Sequence, residues 1–240
     1  MSSTVIGSQN YSISRDGTKV VFTSTGNQGG DGVWIADLDR RTPPRQLTRG
    51  GEFRAFFGSP GEIVYINQAH VRHVYRMKED GSGNEMISPD EVNNLITVSP
   101  DGRWAVALMP EPSNGGGTSV QFMSLRGEKP FMACNEGCSL GFGPNRVLAP
   151  LFNWSVDGKY LYMTLQYFGL RTKRTVVLPY RSDVPLEKLY PKGLSRENDV
   201  PENPGAKVIN EADVFPASDS SHLIWRRATQ SNLYRIPLPN

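Results

Sequence analysis

Cysteine is almost missing from this 240-residue chain, histidine is scarce, and no stretch of it stays apolar for long. Each shortage removes a class of function. The two thiols, Cys134 and Cys138, cannot complete a four-ligand zinc site without further Cys or His beside them. Their Cys-x-x-x-Cys spacing, relaxed by Gly137, allows a small-loop disulfide in an oxidising compartment or, equally, two free thiols. It is not the Cys-x-x-Cys helix start of a redox pair. His70 and His73 lie three apart but have no third ligand in an obvious hairpin or helical relation to both. No apolar run approaches the ~18 residues that a membrane-spanning helix requires. The start, Met1-Ser-Ser-Thr-Val-Ile-Gly7, has neither the basic segment nor the apolar core of a signal peptide. That fits a cytoplasmic protein, or a piece whose targeting segment lies elsewhere.

One-sided charge is absent too. The 26 basic and 24 acidic residues leave a net charge of +2 and are spread along the chain. Without a basic stripe interleaved with aromatics, a nucleic-acid partner has no electrostatic footprint. The densest basic cluster, Arg171-Thr-Lys-Arg174, reads as a solvated loop. Helical periodicity is also missing; the nearest candidate, Pro185 to Tyr190, is too short to matter. The chain is therefore all-β.

What is present is repetition. A tight turn of Ser-x-Asp-Gly type begins at residues 14, 59, 99, 155 and 217, in steps of 45, 40, 56 and 62 residues. In the first copy Tyr11-Ser-Ile-Ser-Arg-Asp-Gly17 is followed by Val20-Val-Phe-Thr-Ser24, Val33-Trp-Ile-Ala-Asp-Leu38 and Arg45-Gln-Leu-Thr48. Gly supplies the positive φ that a tight hairpin needs, and a proline such as Pro100 presets the first corner. Several strands per step of about 40–45 residues is the signature of propeller blades. The spacing predicts a β-propeller of about five four-stranded blades, with copies near 11–48, 51–88, 92–134, 148–194 and 206–239. A lone blade cannot bury both faces. Phe22, Trp34, Tyr65, Tyr75, Trp104, Phe122, Trp154, Tyr162, Trp225 and Tyr234 are expected to fill the gaps between sheets. The fifth copy lacks an outer strand, so the run Ser3-Thr-Val-Ile6 within residues 1–10 is expected to complete it and close one domain over 1–240. The alternative is a C-terminal part of a longer protein with further blades upstream.

The repeats resemble those of TolB-type β-propellers, whose pattern runs Ser-Pro-Asp-Gly-Lys-x-Ile-Ala-Phe, Ile-Tyr-x-Met-Asp-Leu-Asp-Gly and Arg-x-Leu-Thr. Ser14-Arg-Asp-Gly-Thr-Lys-Val-Val-Phe22, Val98-Ser-Pro-Asp-Gly-Arg-Trp-Ala-Val106 and Trp154-Ser-Val-Asp-Gly-Lys-Tyr-Leu-Tyr162 carry the likeness. The second copy has lost the Asp (Ser59-Pro-Gly61) and the fifth the Gly (Ala217-Ser-Asp-Ser220). The ending Ser231-Asn-Leu-Tyr-Arg-Ile-Pro-Leu238 is most similar to C-terminal propellers linked to bacterial kinases or regulators. The resemblance implies a monomeric scaffold that binds a protein or peptide, and it tilts the setting towards the periplasm or another extracytoplasmic space.

Catalytic patterns are weak. Gly137-Cys-Ser-Leu-Gly141 fits G-x-S-x-G, but that elbow needs a helix after it, and Gly143-Pro-Asn-Arg146 cannot open one. Asp80-Gly-Ser-Gly-Asn-Glu85 has hairpin glycines and is too short for a calcium loop. Gly115-Gly-Gly117 opens no helix and carries no Lys, so it is no phosphate loop. No catalytic, cofactor or metal set emerges. The expectation is a non-catalytic scaffold binding a polypeptide through a rim face or channel mouth; the alternative is a sensor or gating propeller whose enzyme lies outside this chain.

Overall fold

A computed structural model describes residues 11–24, 32–67, 71–111, 117–133, 139–140, 151–164, 175–190, 205–211, 214–217 and 221–224. The first sheet runs β1 (Tyr11–Ile13), β2 (Lys19–Ser24), β3 (Gly32–Asp37), β4 (Arg45–Gln46), each antiparallel to the next. The second is β5 (Glu52–Phe57), β6 (Glu62–Asn67), β7 (His73–Lys78), β8 (Glu85–Ser88). The third is β9 (Asn94–Val98), β10 (Trp104–Glu111), β11 (Gly117–Ser124), β12 (Phe131–Met132), with a short β13 (Ser139–Leu140) also on β11. The fourth is β14 (Leu151–Trp154), β15 (Tyr160–Thr164), β16 (Thr175–Pro179), β17 (Lys207–Ile209). A two-stranded sheet, β18 (Val214–Pro216) and β19 (His222–Ile224), belongs to the fifth repeat. The first strand of each sheet touches the first strand of the next, so these strands line a common axis.

One local device makes the first hairpin of three blades. Ser14, Ser99 and Ser155 each donate a hydroxyl to the Asp two residues on, at 2.6, 2.6 and 2.7 Å. The same hydroxyls accept the amides of Lys19, Trp104 and Tyr160, each at 2.9 Å. The Asp oxygens accept the amides of Thr18, Arg103 and Lys159. Gly17, Gly102 and Gly158 close the turn at φ 71°, 62° and 72°, where a Cβ is strained. Donors converging from Ser14 and then Thr18 hold the Asp16 carboxyl down at about 2. The second blade, without the Asp, makes a shorter Pro60-Gly61 corner with Gly61 at φ 81°, as a type II turn requires. The Ser59 hydroxyl is thereby free to donate to the Asp101 carbonyl of the next blade at 2.9 Å.

Packing is radial. Val21, Val33 and Ile35 on the trailing face of blade one meet Ala55, Ile63, Tyr65 and Met77 on the leading face of blade two. Val64, Ile66 and Val74 meet Ala105, Met123 and Leu125 of blade three. Trp104, Val106 and Phe122 meet Phe152, Trp154, Leu161 and Met163 of blade four, and Tyr162 and Val177 meet Val214. Stacked cross-strand pairs recur at one register position, Phe22–Trp34 in blade one (6.5 Å) and Tyr65–Tyr75 in blade two (5.9 Å). Each such pair adds about 0.5–1.5 kcal/mol beyond its area.

Three expectations need correction. Four blades, not five, reach four strands among the described residues; the fifth repeat shows two. The proposed closing segment 1–10, and residues 225–240 with Trp225 and Tyr234, lie outside them. The fourth copy does not end near 194: its last strand is β17, placed after a long insertion between the third and fourth strands that carries a helical turn, α1 (Leu186–Leu189). The Ser-x-Asp-Gly count missed this because β17 follows the insertion and resembles the start of another copy. Finally, Trp34 is only partly buried and joins no core cluster, whereas Phe22, Tyr65, Trp104, Phe122, Trp154 and Tyr162 are buried and the partly exposed Tyr75 packs against the cluster between blades one and two.

Candidate functional site

The rim carrying the first and third hairpins of each blade is held together by polar ties. The Tyr180 hydroxyl of blade four donates to Asp101 Oδ2 of blade three at 2.7 Å. Burial, and then the Asp101 carboxylate, push the Tyr180 phenol well above its usual value. Arg126 of blade three donates to Ser59 Oγ (2.6 Å) and lies 3.3 Å from Glu62 Oε2, both of blade two. Arg103 donates to the Ser182 carbonyl. Arg15, on the first blade's turn, reaches the Asp157 carbonyl on the fourth at 3.4 Å.

Between blades one and two this rim opens into a cleft of about 350 Å³, lined by Lys19, Ile35, Ala36, Asp37, Thr42, Pro43, Arg45, Glu79 and Asp80. Strand registers place its walls. Lys19 opposes Asp37 and Ile35 opposes Arg45, so all four share the face turned towards blade two. Lys19 Nζ lies 2.5 Å from Glu79 Oε2, and that hydrogen bond raises the lysine's pKa. Arg45 donates Nη1 to the Asp80 carbonyl (2.9 Å) and Nη2 to the Glu79 carbonyl (2.7 Å). The backbone of the blade-two hairpin thus fixes the guanidinium; the Asp80 carboxyl beside it is held below its ordinary value by the Ser82 hydrogen bonds and, more weakly, by the charges of Lys78 and Arg45. Asp37 Oδ2 accepts the Thr42 hydroxyl at 2.5 Å, and Asp80 Oδ1 accepts the Ser82 amide at 2.8 Å.

The next two junctions fill the same position. In blade two the counterparts of Lys19, Ile35 and Arg45 are Glu62, Arg76 and Glu85. Arg76 spans that site, 3.8 Å from Glu62 and 2.5 Å from Glu85. In blade three the counterparts are Trp104, Phe122 and Phe131, packed at ring separations of 5.7 Å (Trp104–Phe131) and 5.3 Å (Phe122–Phe131). Ile35 is too short to do either. Sequence reasoning passed over Lys19, Ile35 and Arg45 because each is ordinary in its own strand; only aligning the blades by register sets them apart.

The residues singled out by sequence do not gather here. Cys134, Cys138 and His70 lie outside the described residues. Ser139 sits in β13, paired with Ser119 of β11. His73 faces the Asp90 carbonyl from Nδ1 at 3.3 Å. Asp80, Gly81 and Gly83 form the expected hairpin, with both glycines at positive φ. Among the described residues no three His, Cys, Asp or Glu side chains converge on a metal-sized site, and no helix is long and apolar enough to cross a membrane.

No known family profile and no curated protein matches the sequence. Solved structures do match. A putative TolB from Agrobacterium tumefaciens superposes with a TM-score of 0.54 at 13% identity, over 90% of this chain and 72% of that one. TolB from Acinetobacter baumannii gives a TM-score of 0.51 at 16% identity, over 72% of this chain and 40% of that one. The fold is that of a TolB-type β-propeller. An oligogalacturonate lyase from Vibrio parahaemolyticus matches at a TM-score of 0.47 and 11% identity, over 74% of this chain and 64% of that one. The chain spans only 40% of the length of the Acinetobacter TolB. A shared fold hosts many functions, so it does not decide whether this chain is catalytic.

Proposed function

We propose that this chain is a non-catalytic propeller that docks a protein or peptide on the rim bearing the cleft between blades one and two. The observation that carries the reading is the cleft itself: a concave, charge-lined surface on a rim whose next two junctions are filled by their own side chains. Rim loops can carry such a site because the blades beneath them are rigid. A photo-crosslinking residue at Thr42, set against a control at Lys207, tests it. Discrete polypeptide adducts from Thr42 alone support docking; saturable turnover of a substrate, abolished by Ala at polar channel positions, defeats the scaffold reading.

We also propose that residues 225–240 and the N-terminal strand complete a fifth blade against blade one. The support is register. Leu223 is 63% exposed on the trailing face of β18–β19, where its counterparts Val21, Val64, Val106 and Tyr162 are at most 5% exposed. Tyr11 (50%) and Ile13 (52%) are likewise open on the leading face of blade one. Slow amide exchange over 232–238 is expected for a closing blade, and exchange at unprotected rates contradicts closure.

A further inference from the structure

We infer that the cleft between blades one and two receives an aromatic side chain, tyrosine or phenylalanine, projecting from a partner polypeptide. The inference rests on the rim-docking reading and names the group that anchors the partner. Its basis is what the next two blades place at the register position of Ile35. Blade two has Arg76, whose planar guanidinium lies between the carboxylates of Glu62 and Glu85. Blade three has the Phe122 ring, clustered with Trp104 and Phe131. Both are flat π groups gripped by side chains of the flanking strands. Blade one supplies the grip, Lys19 and Arg45, but only the short aliphatic Ile35 at the position itself. The cleft of about 350 Å³ admits a ring there.

Charge decides between the two kinds of guest. The lining sets two cations, Lys19 and Arg45, against three carboxylates, Asp37, Glu79 and Asp80. Lys19 is paired with Glu79, and Arg45 is held on the Glu79 and Asp80 carbonyls within the field of the Asp80 carboxylate. Neither cation therefore calls for an anion. A guanidinium placed as Arg76 is in blade two would in turn sit between two like charges. A neutral ring meets neither objection. Its face carries the negative part of the ring quadrupole, which attracts a flanking ammonium or guanidinium without adding net charge. Arg45 suits this best: its hydrogen bonds lie in the guanidinium plane, fix it, and leave an exposed side chain to stack. Ile35 and Pro43 add apolar surface for the ring edge. Asp37 accepts the Thr42 hydroxyl and keeps acceptor capacity for a phenol or a peptide N–H of the partner.

The test is titration of the intact protein with single-residue amides, followed by NMR at the Ile35 Cδ1 methyl and the Arg45 Nε–H. The probes are N-acetyltyrosinamide, N-acetylphenylalaninamide, N-acetylleucinamide and N-acetylglutamate α-amide. At least one aromatic amide is expected to saturate with a dissociation constant of about millimolar order. It should move the Ile35 methyl upfield, as the current of a ring laid over it requires. The aliphatic and acidic amides are expected to bind at least about fivefold more weakly, and Arg45→Gln to weaken the aromatic amide at least about threefold. Lys19→Gln, at a partly exposed position, repeats the test should Arg45→Gln misfold. Equal affinity for the aliphatic or the acidic amide, no saturation with either ring, no upfield methyl shift, or binding indifferent to both substitutions overturns the inference. A partner that crosslinks through Thr42 but binds Arg45→Gln as tightly as wild type would leave rim docking standing and remove the ring site.

Discussion

The junction between blades three and four and the junction between blades one and two do the same structural task with opposite materials. The first is aromatic, with Tyr180 tied to Asp101 at its rim: Phe122 lies 6.3 Å from Phe152 and 5.3 Å from Phe131, and Trp154 meets Tyr180 edge-on at 4.7 Å. The second is apolar near Val21, Val33 and Tyr65, then gives way at the rim to an ion pair, a backbone-held arginine and open space. Identical backbone register therefore does not imply identical packing. A ring needs every blade to grip its neighbour, but the rim position of each junction is left for the side chains to settle.

Substitutions can break this contrast in order of size. Phe122→Ala removes a fully buried ring from the aromatic junction and is expected to cost about 3–5 kcal/mol in denaturant unfolding. Ile35→Ala, beside space that is already open, is expected to cost about 2 kcal/mol. Equal losses at the two sites would erase the distinction. Gly102→Ala places a Cβ 2.3 Å from the Ser59 amide nitrogen besides its positive φ, so about 2 kcal/mol or more is expected. Gly17→Ala, equally strained in φ but with nothing within 4 Å, is expected to cost about 1 kcal/mol. Tyr180→Phe, losing its bond to Asp101, is expected to cost about 1 kcal/mol. Lys19→Met sits last, below about 1 kcal/mol, because the Lys19–Glu79 pair is partly exposed and screened.

Acid separates the turns further. The Asp16 carboxyl is held at about 2, below its ordinary 3.8, so its charged form favours the folded turn. That contribution is complete above about 3.8 and disappears as the pH falls through about 2. The stability advantage of wild type over Asp16→Ala should shrink across that window, and an advantage that grows on acidification would refute the assignment.

The blades were legible in the sequence because their turns are local chemistry: Ser, Asp and Gly within four residues fix the hairpin without help from the rest of the chain. The second turn, lacking the Asp, and the fifth, with Ala217 and Ser220 where the others have Ser and Gly, are still recognisable by position. The site was not legible, for the opposite reason. Lys19, Arg45 and Glu79 come together across two blades, and the meaning of Ile35 depends on Arg76 and Phe122 holding its place elsewhere. The insertion before β17 escaped notice because no turn signal marks a strand that returns after a long excursion.

The most direct measurement is on Ile35→Phe, which gives blade one the residue that blade three has at this position. If the cleft is open space left for a ligand, the ring fills it: stability rises by about 0.5–2 kcal/mol and the photo-crosslinks from Thr42 vanish. A destabilised protein, or one that still crosslinks from Thr42, would show that the first junction was never vacant.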